Sequence, residues 1–98
     1  MNKLLKIECL SSWDKVDPEN DNIDVHVHLE DGRIYSLLIA TPNNIYWCMK
    51  NEGIDYFLGM PPVFVARLDE ASVGRAVKAL VEEGDGQWLH TYGALQEA

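Results

Sequence analysis

Basic residues are the first scarcity in this chain. Eight lysines and arginines stand against sixteen aspartates and glutamates, for a net charge of −8. A surface of that sign repels phosphate backbones and anionic lipids at long range. Direct nucleic-acid binding is therefore not expected, and a basic protein is the class of partner that the charge attracts. The same charge also serves solubility. Cysteine is scarce as well. Cys9 and Cys48 sit among apolar neighbours with no C-x-x-C spacing, which reads as two buried free thiols rather than a disulfide or a ligand pair. No apolar run approaches the ~20 residues of a transmembrane helix. The opening MNKLLKIECL is interrupted by Glu8 and then by SSWDKVDPEN before a signal-peptide core can form, so a cytoplasmic protein is expected. Internal repeats and low-complexity tracts are missing. So are a G-x-S-x-G elbow, a phosphate-cradling glycine loop, and any serine or cysteine set beside a histidine by a local motif. The expectation is a protein that is not an enzyme and needs no cofactor.

What is present suits one globular domain over residues 1–98. The chain is 47% apolar and 24% charged, which favours neither disorder nor a fibre. Leu4 to Leu10 reads as a first strand, with Leu5, Ile7 and Cys9 on a buried face and Lys6 and Glu8 opposite. SSWDKVDPENDN, residues 11 to 22, is polar, holds Pro18 and has no apolar period, so it reads as a loop pinned by Trp13 and Val16. In IDVHVHLE, Ile23, Val25, Val27 and Leu29 alternate with Asp24, His26, His28 and Glu30. That period of two is the clearest strand in the chain.

Asp31-Gly32 reads as a two-residue type I′ turn. Residues 33 to 40 then fold back with Arg33 opposite Glu30, Tyr35 opposite His28 and Leu37 opposite His26. On the other face Ile34, Ser36, Leu38 and Ala40 meet Leu29, Val27, Val25 and Ile23 as the core surface. Thr41-Pro42 is a helix start, because the threonine oxygen can cap free N–H groups and proline has none to leave unpaired. The helix is expected over Pro42 to Asn51, with Gly53 just beyond it. IDYFLGMPP follows as a broken apolar connection, and VFVARL, residues 63 to 68, reads as a buried strand. Asp69 caps a second helix whose Val73, Val77, Leu80 and Val81 share one face, with Gly84 as its stop. The tail GDGQWLHTYGALQEA is too apolar for a loose terminus and predicts a short packed segment.

Three groups of residues are candidates for function. His26 and His28, ~6 to 7 Å apart on one strand face, have the spacing of two zinc ligands. A third would have to come from Asp24, Glu30 or His90, and none is specified, so no metal site is expected and the pair reads as the polar side of a half-buried strand. Asp14, Asp17, Glu19, Asp21 and Asp24 place five carboxylates within eleven residues. The run lacks the glycine and terminal glutamate of an EF-hand loop, so it reads as a solvated loop or an acidic contact surface for a basic protein. Among the aromatic residues most should be core, but Trp13 beside that loop and Tyr56 in DYFLGMPP are candidate partner-binding anchors, since tryptophan and tyrosine dominate binding hot spots.

The order β-β-β-α-β-α predicts an α+β fold of two layers, an antiparallel sheet of about four strands with two helices packed mainly on one face. The opposite face, with His26, His28, Tyr35, Leu37 and Ile39, is a mixed surface suited to a homodimer or partner contact. The hairpin with its TPNNIYW helix start, and the late P-V-F-V strand with its capped amphipathic helix, resemble small bacterial proteins that include immunity proteins of toxin–immunity systems. The likeness spans residues 23 to 84 and carries over no functional residue, because immunity proteins diversify their contact surfaces. It implies a cytoplasmic inhibitor that binds one cognate toxin and masks its active site. A homo-oligomeric adaptor domain and a small metal-dependent enzyme using His26 and His28 are the alternatives.

Overall fold

A computed structural model of the chain describes residues 3–59 and 61–96. Among these, five strands form one sheet: β1 (Leu4–Cys9), β2 (Asn22–Leu29), β3 (Ile34–Ala40), β4 (Val63–Phe64) and β5 (Ala94–Leu95). β1, β2 and β3 run antiparallel in sequence order. Beyond β3, β5 pairs antiparallel with Tyr35 and Ser36, and β4 pairs parallel with Ile39 and Ala40. The helices are α1 (Pro42–Glu52), α2 (Glu70–Glu82) and α3 (Gln87–Tyr92), with 3-10 turns at Trp13–Lys15 and Glu83–Gly86. The architecture is the expected α+β one, a largely antiparallel sheet with its main helices packed against it.

The β2–β3 turn differs from the expected one, and the difference moves every side chain of β3. Gly32 N–H donates to the Leu29 carbonyl at 3.0 Å, and Leu29 N–H donates to the Arg33 carbonyl at 2.9 Å. Gly32 has φ of +93°. This is a three-residue loop, a type I turn followed by a left-handed glycine, rather than a two-residue type I′ turn. Asp31 braces it, because its carboxylate accepts the Arg33 backbone N–H at 3.0 Å and Arg33 Nε at 2.7 Å. The backbone bond from Arg33 is the main reason the Asp31 carboxyl titrates below its ordinary value. The observed partners are Val27 with Tyr35, Val25 with Leu37 and Ile23 with Ile39. Tyr35, Leu37 and Ile39, expected on the open face, are therefore core, and Ile34, Ser36 and Leu38 take the face of His26 and His28. The physical reason is burial. Tyr35, Leu37 and Ile39 form an unbroken apolar row, whereas the alternative row is interrupted by Ser36, and a one-residue slip exchanges the two.

One core lies between the sheet and the helices. Val25, Val27, Leu37 and Ile39 meet Val73, Val77, Leu80 and Val81 of α2 and Leu89 of α3, which confirms the face expected of α2. Asp69 caps α2 by accepting the Ser72 N–H at 2.8 Å, a bond that holds its carboxyl below the ordinary value. The helix ends at Glu82, short of Gly84, and continues as the 3-10 turn. α1 starts as expected. Thr41 accepts the Asn44 N–H at 3.3 Å, and Gly53 closes the helix in the left-handed region. Its buried side pairs Ile45 with a polar residue, Asn44. Asn44 donates to Asn20 at 3.1 Å and accepts from Asn22 at 2.6 Å, so an amide network ties α1 to the start of β2.

Two further expectations about strands are corrected. A bulge at Leu5 turns that side chain outward, so Leu4, Ile7 and Cys9 form the inner side of β1. The strand expected over residues 63 to 68 stops at Phe64. Val65 still donates to Ala40, but the Leu68 N–H goes to the Pro18 carbonyl at 2.9 Å instead of continuing the ladder. The tail is packed, as expected. It forms α3 and β5, and Gln96 N–H donates to the Ile34 carbonyl at 2.8 Å. Met1, Asn2, Met60, Glu97 and Ala98 lie outside the described residues. Cys9 and Cys48 are free thiols, half-buried rather than buried.

Gly93 joins α3 to β5 at a close approach. A Cβ there would lie 2.7 Å from the Leu89 carbonyl oxygen and 3.1 Å from a Leu37 methyl. Since the carbonyl belongs to backbone, relief requires α3 to shift. Gly93→Ala is expected to cost about 1–3 kcal/mol, read as a lower urea midpoint at unchanged slope. An unchanged midpoint would show that α3 is free to move.

Candidate functional site

The acidic segment is folded upon itself. Asp21 accepts the Asp17 N–H at 3.0 Å and the Asn22 N–H at 2.9 Å, and Asp17 accepts the Glu19 N–H at 3.0 Å. Asp and Asn side chains commonly close turns in this way. Glu19 forms an ion pair with Arg67, which also reaches Asp69 at 3.3 Å. Asp14 bonds the Ser12 hydroxyl, the principal cause of its lowered pKa. Asp24 stands apart on the outer face of β2, exposed. The structure thus brings Asp17, Glu19 and Asp21 together as a braced loop, in which the Asp17 and Asp21 carboxylates hold the backbone and Glu19 holds Arg67. Trp13 is half-buried and packs on the core. It lines a cavity of about 260 Å³ with Ile7, Cys9, Val73 and Gly74. Tyr56 is exposed on the connection between α1 and β4. No hydrogen bond or ion pair joins it to the acidic loop among the described residues.

On the open sheet face the two histidines gain a neighbour that their spacing did not announce. Glu8 lies opposite His26 across the β1–β2 ladder. Its Oε1 is 3.1 Å from His28 Nε2 and 3.7 Å from His26 Nδ1. His90, one of the residues considered as a third ligand, is elsewhere. Its Nδ1 is 3.2 Å from the Tyr35 hydroxyl, which also accepts from Arg33 at 3.3 Å. Among the described residues no three His, Cys, Asp or Glu side chains are gathered to hold a metal ion. What the cluster does carry is a bias on the titration of Glu8. The Glu8 carboxyl is held below its ordinary value of 4.5, first by the hydrogen bond to His28 and then by positive charge on His28, His26 and Lys6. A carboxyl with a lowered folded-state pKa contributes stability above the unfolded value and loses it as pH falls. The urea midpoint of the wild type should therefore exceed that of Glu8→Gln at about pH 6 and converge toward it by about pH 3. A constant difference across that range would mean that the carboxylate contributes nothing through its charge.

Several large apolar side chains outside both clusters are exposed. Tyr46 and Trp47 on α1 are 58% and 52% exposed, and Leu58 in the following connection is 82% exposed. Tyr56, Phe64 and Trp88 are each about half exposed. Phe64 and Trp88 flank an open groove of about 370 Å³ whose floor is Val63, Ala79 and Leu80, with Pro62, Tyr92 and Glu83 completing its walls. Trp88 and Tyr92, one helical turn apart on α3, hold their rings 6.3 Å apart. Lys50 lies 5.0 Å over the Tyr46 ring, a cation–π contact that leaves Trp47 beside it uncommitted. Sequence reasoning found Tyr56 alone of these. The broken apolar run IDYFLGMPP was the available signal for the rest of the connection, but nothing local distinguished Phe64 or Trp88 from core.

The fold defines the class, a small α+β domain, and no helix among the described residues is long and apolar enough to cross a membrane. Neither the protein-family models, nor the curated proteins, nor the solved structures contain a match to this chain.

Proposed function

We propose that the chain is a non-enzymatic protein-binding module, a cytoplasmic immunity-type inhibitor that masks a cognate basic toxin domain. The observation that carries this reading is the exposed aromatic surface around the groove between Phe64 and Trp88. Large aromatic side chains left in water are costly for a folded monomer, and they are the residue types that anchor protein interfaces. Carboxylates stand beside them. Glu83 lines the groove, and Asp55 precedes Tyr56. An apolar groove with a carboxylate in its wall suits a partner with apolar anchors and basic groups beside them, in keeping with the net charge of −8.

The test is a calorimetric titration against the purified product of the gene adjoining this one. The expected outcome is one-to-one binding to a cationic protein, weakening as salt rises, together with loss of that protein's toxicity on coexpression. A neighbouring product that is not toxic, or that neither binds nor is neutralised, sinks the reading.

A further inference from the structure

The free edge of the sheet carries a self-complementary sequence, and the geometry points to a symmetric dimer formed by antiparallel pairing of β1 with β1 of a second copy. β1 ends the strand order, with β2 on one side and no strand beyond it among the described residues. Such an edge is a template for another strand unless something blocks it. Leu5 and Leu10, at the two ends of the segment, are 63% and 52% exposed.

The register of such a pairing follows from two independent constraints. The first is the direction of the backbone groups. Leu10 N–H donates to the Asp24 carbonyl of β2 at 3.2 Å. Because hydrogen-bonded and non-hydrogen-bonded pairs alternate in an antiparallel ladder, Glu8 and Lys6 also turn their N–H and C=O toward β2, while Ile7 and Cys9 turn theirs to the free edge. A regular ladder therefore pairs residues that turn to the free edge only with one another, so the two-fold axis passes beside one residue, Lys6, Ile7, Glu8 or Cys9, and not between two. The second constraint is charge. With Ile7 opposite Ile7 of the other copy, Lys6 of each chain faces Glu8 of the other, and the outer positions match leucine with leucine and leucine with cysteine. Centring on Cys9 places Glu8 opposite Leu10 and Lys6 opposite Ser12, with no opposite-charge pair. Centring on Lys6 or Glu8 sets like charges directly opposite each other, which is unfavourable, so only the Ile7-centred register satisfies both constraints by pairing opposite charges across the strands.

The two faces of the extended sheet remain consistent in this arrangement. A two-fold axis perpendicular to the sheet keeps the α2 side of both copies on one face, and the cavity that Ile7 and Cys9 line lies on that side in each copy. The bulge at Leu5 limits the regular ladder to the residues around Ile7, so the contact is short and concentration-dependent. The groove at Phe64 lies beyond β3, at the other end of the strand order, and stays uncovered. The inference does not rest on the proposed function, and no partner enters its test.

Light scattering over a rising concentration series should show mass growing from 11.1 kDa toward twice that value. Lys6→Glu, which sets glutamate against Glu8 twice, should weaken the dimer about tenfold or more, and the double exchange Lys6→Glu with Glu8→Lys should restore it. Circular dichroism of each variant separates loss of pairing from loss of fold. An independent readout is Ile7→Cys in a Cys9→Ser, Cys48→Ser background, because Ile7 meets its own copy on one face at the axis. Mild oxidation should link the two introduced thiols across the axis, giving a covalent dimer on a non-reducing gel. A mass of one chain at every concentration, a dimer indifferent to the charge exchange, or oxidation that leaves only monomer would each overturn the proposal.

Discussion

Leu37→Ala should lower the stability of the fold by about 2–5 kcal/mol, the range for truncating a buried leucine, while Leu38→Ala should cost less than about 1 kcal/mol. The two residues are neighbours in sequence with the same side chain, so propensity and composition cancel and burial alone separates them. Leu37 is 0% exposed and packs among Val25, Ile39 and the α2 valines. Leu38 projects from the opposite face beside Asp24 and is partly exposed. Urea titrations with a common slope provide the comparison, since a change in slope would signal a change in the unfolded ensemble instead. Equal losses, or a larger loss for Leu38→Ala, would place β3 in the register of a two-residue turn.

The second large effect concerns residence time on the proposed basic partner. Trp47→Ala and Trp88→Ala should each accelerate dissociation by about thirtyfold, equivalent to the ~2 kcal/mol that defines a hot spot. Both side chains are about half exposed and contribute nothing to the core cluster, so their loss leaves the fold standing. Trp13 behaves differently. It packs against Ile7, Cys9 and Val73, and Trp13→Ala should act on stability as much as on binding. Charge should act on the other rate. Asp14→Asn with Asp24→Asn removes two exposed carboxylates that do not tie separate residues of the loop together through backbone N–H groups, and should slow association severalfold at low salt with little change in dissociation. Asp17 and Asp21 are poorer probes because they close the loop through its backbone. Rates that move together for both classes of variant would contradict this division of labour, and aromatic variants that bind as the wild type does would remove the groove from the interface.

Several features were legible because they are short-range. Thr41-Pro42 capped α1 as read, and Asp69 capped α2, since a side-chain oxygen three residues before a free N–H is enough to decide a helix start. The alternation in β2 named Ile23, Val25, Val27 and Leu29 as core, and all four are. The Asp-Gly signal located a turn without deciding its length. Glycine at positive φ serves both two- and three-residue loops, and the choice between them belonged to burial on a sheet that the turn itself does not see. Glu8 was missed for a related reason. The loop of residues 10 to 21 leaves the β1–β2 register open, so no local count could place Glu8 opposite His26.

The chain by itself determined the α+β class, the capped helices, the buried face of β2 and the negative charge, because each depends on periodicity, capping or composition within a few residues. Tertiary structure decided which row of β3 is core, that residues 65 to 68 leave the sheet, that α3 and β5 form, that the Asn44 amide ties α1 to β2, and which aromatic residues stay in water. Each of these is a competition between distant segments for the same backbone partner or the same buried area. Its outcome depends on the sum of contacts over the whole core rather than on any residue's local preference.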